Sequence, residues 1–122
     1  MLYSMQEVKT QFSLSTSTLH YYERIGILPH VQKNESGHRV YTEKDIEWLK
    51  IILCMRGTGI GITEIKAFME LVKSENDSAE QKYLFFVEQK KKIEEQYQQL
   101  DIYLETVEKK MVHYSKKMKQ TN

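Results

Sequence analysis

This 122-residue chain has one cysteine, one proline, no large charge excess and no long apolar run. The lone Cys54 excludes an internal disulfide framework and fits a reducing cytoplasm. No stretch of about 18 apolar residues exists, so no segment is expected to span a membrane. The opening MLYSMQEVKTQF lacks a basic region followed by an apolar core, so no signal peptide is expected. Net charge is +1, and residues 1–73 hold nine Lys/Arg against eight Asp/Glu, residues 74–122 nine against nine. A nucleic-acid binder often shows a basic excess. Bulk electrostatics makes no such case here, so local geometry would have to make it. No paired carboxylates in an enclosed setting, no nucleophile–base pair and no cofactor loop are recognisable, which argues against an enzyme and for no cofactor. His20, His30, His38 and His113 show no ligand spacing, so no metal site is expected.

What the chain does have is helical periodicity. Ser4 and Glu7 form S-x-x-E, the spacing at which a serine caps the first amides and a glutamate reaches back; Met5, Val8 and Phe12 follow at helical spacing. Ser13-Leu14-Ser15 is a short break. Ser15 suits the cap of a second helix over about Thr16–Ile25, and Gly26 supplies a left-handed stop. Two short helices joined by three or four residues have a helix-turn-helix outline. Val31–Lys33 and Arg39–Tyr41 read as strands around a hairpin loop at Asn34–Gly37. Thr42 and Asp45 open a third helix, TEKDIEWLKIILCMR, ending near Gly57. RGTGIGITE invites a phosphate-loop reading. It lacks the G-K-[ST] ending and no strand precedes it, so it reads as a turn before a fourth helix, ITEIKAFMELV.

Asp77 and Glu80, or Ser78 and Gln81, suit the start of a long last helix. From Ile93 its apolar positions run Ile93, Tyr97, Leu100, Leu104, Val107, Met111, Tyr114 and Met118, in alternating steps of four and three. That is an a/d heptad seam. Such a narrow seam leaves most of the helix wet, so the helix needs a partner, and a second copy of the chain is the simplest source. A homodimeric coiled coil is expected; the alternative is packing along the chain's own N-terminal domain.

The segment LHYYERIGILP sets two tyrosines side by side before the only proline, Pro29. Neighbours on a helix point about 100° apart, so both rings cannot face one core. Leu19 and Tyr22 are three apart and share the core face. Tyr21 then points out beside Ser17, Thr18, His20 and Arg24, a set of hydroxyls, imidazole and guanidinium suited to phosphate oxygens and base edges.

TLHYYERIGILP, SGHRVYTEKDIEWLKII and MRGTGIGITEIKAF together resemble the MerR family of bacterial transcription regulators, in order and spacing, over about residues 3–72. The resemblance implies a mainly α fold: a winged helix-turn-helix DNA-binding domain over residues 1–73, then a linker and long dimerisation helix over 74–122 forming an antiparallel coiled coil. It places Thr16, Thr18, His20, Tyr21, Tyr22 and Arg24 of the second helix, and Lys33, His38, Arg39 and Tyr41 of the wing, against double-stranded promoter DNA. It also implies a cytoplasmic homodimer that distorts the promoter for RNA polymerase. His20 stands where the family usually has arginine, and His38 where it has an aromatic. Protonation of either near its reference pKa of about 6.5 would make binding pH-sensitive; altered sequence preference is the simpler reading. Gly61 stands where Ser or Thr usually caps the fourth helix.

Cys54, in LKIILCMRGTG, is similar to the cysteine of a MerR subgroup that responds to aldehydes and other electrophiles. Lys50 and Arg56 lie within a turn and would favour its thiolate. Residue physics alone leans toward the alternative, a small buried hydrophobe. A coiled-coil adaptor whose winged domain binds protein is the competing function. It would place apolar residues where this chain has Thr, His, Tyr and Arg.

Overall fold

The computed structural model describes residues 1–28, 31–73 and 79–120. Its elements are β1 (Leu2–Ser4), α1 (Met5–Phe12), α2 (Thr16–Arg24), β2 (Gln32–Lys33), β3 (Arg39–Thr42), α3 (Glu43–Gly57), α4 (Ile62–Lys73) and α5 (Ala79–Gln120). Two compact units result, Met1–Lys82 and Tyr83–Asn122. The expected caps Asp77 and Ser78 lie outside the described residues.

Helix ends in the first unit are set by side chains next to them. Ser4 Oγ accepts from Glu7 N at 3.1 Å, and Glu7 Oε1 accepts from Ser4 N at 3.1 Å. Thr42 Oγ1 accepts from Asp45 N at 3.2 Å, while Asp45 Oδ2 accepts from Thr42 N at 2.9 Å. Each capping box satisfies amides that the helix leaves unpaired. Asp45 is buried, and these bonds account for a carboxylate there. Thr42 is also the last residue of β3, so the strand enters α3 without a loop. Between α1 and α2 the chain turns at Ser13, left-handed at φ 54°, and Ser15 Oγ accepts from Thr18 N to start α2. Gly26 ends this helix region at φ +85°, a conformation costly for residues with a Cβ. Lys73 Nζ donates to Gly26 O at 3.1 Å, tying the end of α4 to this turn.

The sheet has three antiparallel strands in the order β1-β3-β2. The hairpin of β2 and β3 was expected from the sequence; β1 was not. Leu2, Tyr3 and Ser4 pair with Thr42, Tyr41 and Val40, covering the second edge of β3. Tyr3 Oη donates to Glu43 Oε1 at 2.8 Å beside that pairing. Val8, Leu19, Tyr22, Ile27, Leu28, Tyr41, Ile46, Leu49, Ile52, Met55, Ile60, Ile65, Phe68 and Met69 form the core, drawn from α1, α2, β3, α3, α4 and their connections. Residues Arg56–Gly61 make a turn: Thr58 Oγ1 donates to Met55 O, Gly59 is left-handed, and Gly61 O accepts from Ile65 N. Gly61 thus opens α4 with its backbone alone.

The described part of the second unit belongs to α5, a helix of 42 residues including its first turns. At 1.5 Å per residue it is about 63 Å long.

Candidate nucleic-acid interface

Three stripes divide the second helix. Leu19 and Tyr22 are buried and hold it to the core. Ser17, Tyr21 and Arg24, at i, i+4 and i+7, are exposed on one line, and the Arg24 guanidinium lies 5.3 Å from the centre of the Tyr21 ring. Thr16, His20 and Glu23 repeat that spacing on a neighbouring line and are half-buried. Thr18 is half-buried too, its hydroxyl accepting from Ser15 Oγ at 2.9 Å within the N-terminal cap. The two tyrosines therefore part as the spacing suggested: Tyr22 is 7% exposed and Tyr21 37%. Tyr22 is accordingly withdrawn from the expected DNA contacts, because it packs inward.

The wing is built by Asn34. Its Oδ1 accepts from the amides of Ser36 and His38, each at 3.0 Å, its N donates to His38 O, and Gly37 N donates to Asn34 O. Gly37 is left-handed at φ +81°. Lys33 pairs with Arg39 across the hairpin, so their side chains share a face, and Tyr41 lies on that face two residues along. Burial rises along this line from exposed Lys33 through half-buried Arg39 to Tyr41, which is fully buried. Tyr41 is thus a core residue at the base of the wing, not a surface contact. Burial, with Glu23 nearby, pushes its hydroxyl pKa above the ordinary value, and among the described residues that hydroxyl has no hydrogen-bond partner. His38 is exposed at the hairpin loop.

Sequence reasoning did not identify Glu23. Arg39 Nε donates to Glu23 Oε2 at 2.7 Å, joining the wing to the last turn of α2. This hydrogen bond raises the guanidinium pKa further. The partners are 16 residues apart, and no local pattern links them.

On α5, Ile93, Tyr97, Leu100, Leu104, Val107, Met111, Tyr114 and Met118 are all 38–76% exposed, so the seam is open in the single chain. Tyr97, Leu100, Asp101 and Leu104 frame a hollow on it. These positions, i, i+3, i+4 and i+7, are the four that form a hole for a partner's knob in a coiled coil. Cys54 is exposed, so its role as a buried filler falls. It belongs to the wet stripe Glu47–Lys50–Cys54, whereas Ile46, Leu49, Ile52 and Met55 take the core side. His30 lies outside the described residues. Among the described residues, no helix is long and apolar enough to cross a membrane.

A helix-turn-helix with a two-stranded wing, a polar outward helix face and a long C-terminal helix define the class of winged helix-turn-helix regulators. The MerR HTH family regulatory protein model matches residues 3–71, and the chain belongs to that family of transcription regulators. An uncharacterized HTH-type transcriptional regulator of Haemophilus influenzae is 33% identical over 116 residues, covering 95% of this chain and 86% of that one. The HTH-type transcriptional regulator AdhR of Bacillus subtilis is 41% identical over 68 residues, which is 56% of this chain but only 49% of AdhR. Among solved structures, HiNmlR, described as a MerR family regulator lacking the sensor domain and bound to promoter DNA, superposes with a TM-score of 0.84 at 33% identity, covering 95% of this chain and 92% of that one. A MerR family transcriptional regulator from Bacillus thuringiensis gives 0.81 at 26% identity, with 92% and 98% covered.

Proposed function

We propose that this chain is a cytoplasmic, homodimeric regulator that binds double-stranded promoter DNA and distorts it. Each protomer sets α2 in a major groove and the wing on the flanking backbone. The contacts are Thr16, Thr18, His20, Tyr21 and Arg24 from the helix and Lys33, His38 and Arg39 from the wing. The carrying observation is the split of the second helix: Leu19 and Tyr22 face the core, Ser17, Tyr21 and Arg24 are exposed, and Thr16, Thr18 and His20 are half-buried beside them. The likeness to a regulator solved on promoter DNA supports the same reading. The open heptad seam of α5 supports pairing of two copies, and the family suggests an antiparallel arrangement. RNA polymerase is the partner that a distorted promoter serves.

Selection of random duplexes with the purified protein tests this. An enriched inverted repeat is expected, its half-site spacing reporting the dimer geometry. Absence of enrichment at low salt would favour the protein-binding adaptor.

A second reading concerns Cys54. Its exposure beside Lys50 supports a thiol that reacts with small electrophiles and shifts the dimer between two DNA-bound states. Alkylation of the wild type, with Cys54→Ser as the control, is expected to change promoter output only where the thiol is present.

A further inference from the structure

We propose that Glu23 is a positioning residue: it aims the Arg39 guanidinium at the DNA backbone, so that the second helix and the wing grip as one unit. The inference rests on the DNA-binding reading and goes beyond it by giving a role to an acidic residue.

A carboxylate on this face needs a reason. DNA presents phosphate charge, and a glutamate beside the contact residues repels it. Glu23 nevertheless shares its stripe of α2 with Thr16 and His20, both proposed contacts. It is not left to solvent, because its side chain is 28% exposed and its Oε2 accepts from Arg39 Nε at 2.7 Å. Arg39 is also 27% exposed and opens β3.

The atom that Glu23 engages matters. A guanidinium carries five N–H donors in a fixed plane. Holding it at Nε fixes that plane and leaves the two terminal nitrogens, the pair suited to bidentate contact with phosphate oxygens. Among the described residues no other hydrogen bond engages this guanidinium. The Tyr41 hydroxyl, buried two residues along the same face of β3, makes no hydrogen bond to the carboxylate or to any other described group, so it does not compete with Arg39 for Glu23. The pair therefore joins the two DNA-facing elements at one point and leaves Arg39 with donors to give.

The sign of the effect separates positioning from simple charge. Removing a negative charge from a DNA-binding face should, by Coulomb's law alone, tighten binding. If Glu23 aims Arg39, removing the charge should weaken binding instead.

The experiment measures affinity for a duplex carrying the enriched repeat across a salt series, for the full-length protein and the variants Glu23→Gln, Arg39→Ala and Glu23→Gln/Arg39→Ala. Glu23→Gln is expected to weaken binding by about tenfold, because a neutral amide oxygen holds the Arg39 Nε–H less firmly than the carboxylate does, with an unchanged salt slope. In the Arg39→Ala background the same substitution is expected to weaken nothing. Should Glu23→Gln fail to fold by circular dichroism, Arg39→Lys reads the contact from the other side. It keeps the charge but loses the planar fork, and it too is expected to lower affinity at constant slope. Tighter binding by Glu23→Gln, or an equal loss with and without Arg39, overturns the proposal. Failure of the wild type to bind any duplex at low salt overturns the DNA-binding reading, and the role of Glu23 with it.

Discussion

In the unit Met1–Lys82, Leu19, Leu28 and Leu49 are at most 1% exposed; in the unit Tyr83–Asn122, Leu100 and Leu104 are 65% and 56% exposed. The same residue type serves two ends. The first unit folds most of its apolar side chains into its own core and leaves a patterned polar face on α2 outside. The second keeps apolar side chains outside, a line at heptad spacing with Ile102, Tyr103 and Val112 beyond it. One unit carries its own stability and presents chemistry; the other presents apolar surface and needs a partner to cover it. This difference, more than any single residue, supports a division of labour between reading DNA and joining two copies.

The contrast can be broken most forcefully at the seam. Leu100→Glu with Leu104→Glu places charge in the proposed coiled-coil core, where an unpaired charge is costly. Sedimentation is expected to show loss of the dimer, with the circular dichroism of the winged unit retained. Matched truncations sharpen the point. Leu49→Ala is expected to cost about 2–5 kcal/mol of folding stability, read as a lower melting midpoint independent of protein concentration. Leu104→Ala is expected to act instead on association, so that its midpoint depends on concentration.

Smaller effects lie at the wing. Arg39→Ala is expected to weaken binding to all duplexes and to lower the salt slope by about one contact. An unchanged slope would remove Arg39 from the backbone contacts. The smallest effect is expected at Tyr41→Phe. This change deletes a buried hydroxyl with no hydrogen-bond partner among the described residues, so stability should hold or rise and DNA affinity should stay put. Its pH signature has a definite sign. The folded state raises the Tyr41 pKa above its ordinary value of 10.0, so the unfolded chain loses this proton first. The contribution is fully present below the ordinary pKa and is lost as pH rises through the folded one. Alkaline denaturation should therefore begin at higher pH in Tyr41→Phe.

Much of this architecture could be read from sequence because its causes are local. Ser4 with Glu7, and Thr42 with Asp45, are three residues apart, and both capping boxes form. The two adjacent tyrosines had to part, and the position of Leu19 decided which one turned inward. The heptad seam followed from counting. What was missed depends on distant pairing. β1 is three residues long with no alternating pattern of its own, and only the edge of β3 makes it a strand. Tyr41 was expected among the wing contacts from the family resemblance alone, yet the pairing with β1 and the start of α3 bury it. Glu23 sat in plain view in YYER, but its partner lies across the hairpin. Cys54 was weighed toward the core by residue type, whereas helical phase with Glu47 and Lys50 sets it outside.

The most direct test of the division of labour compares one duplex carrying the full inverted repeat with one carrying a single half-site. Wild-type protein should prefer the full repeat strongly, and Leu100→Glu/Leu104→Glu should bind both equally while keeping its half-site affinity. Equal binding of the two duplexes by the wild type, or an undiminished preference in the variant, would contradict it.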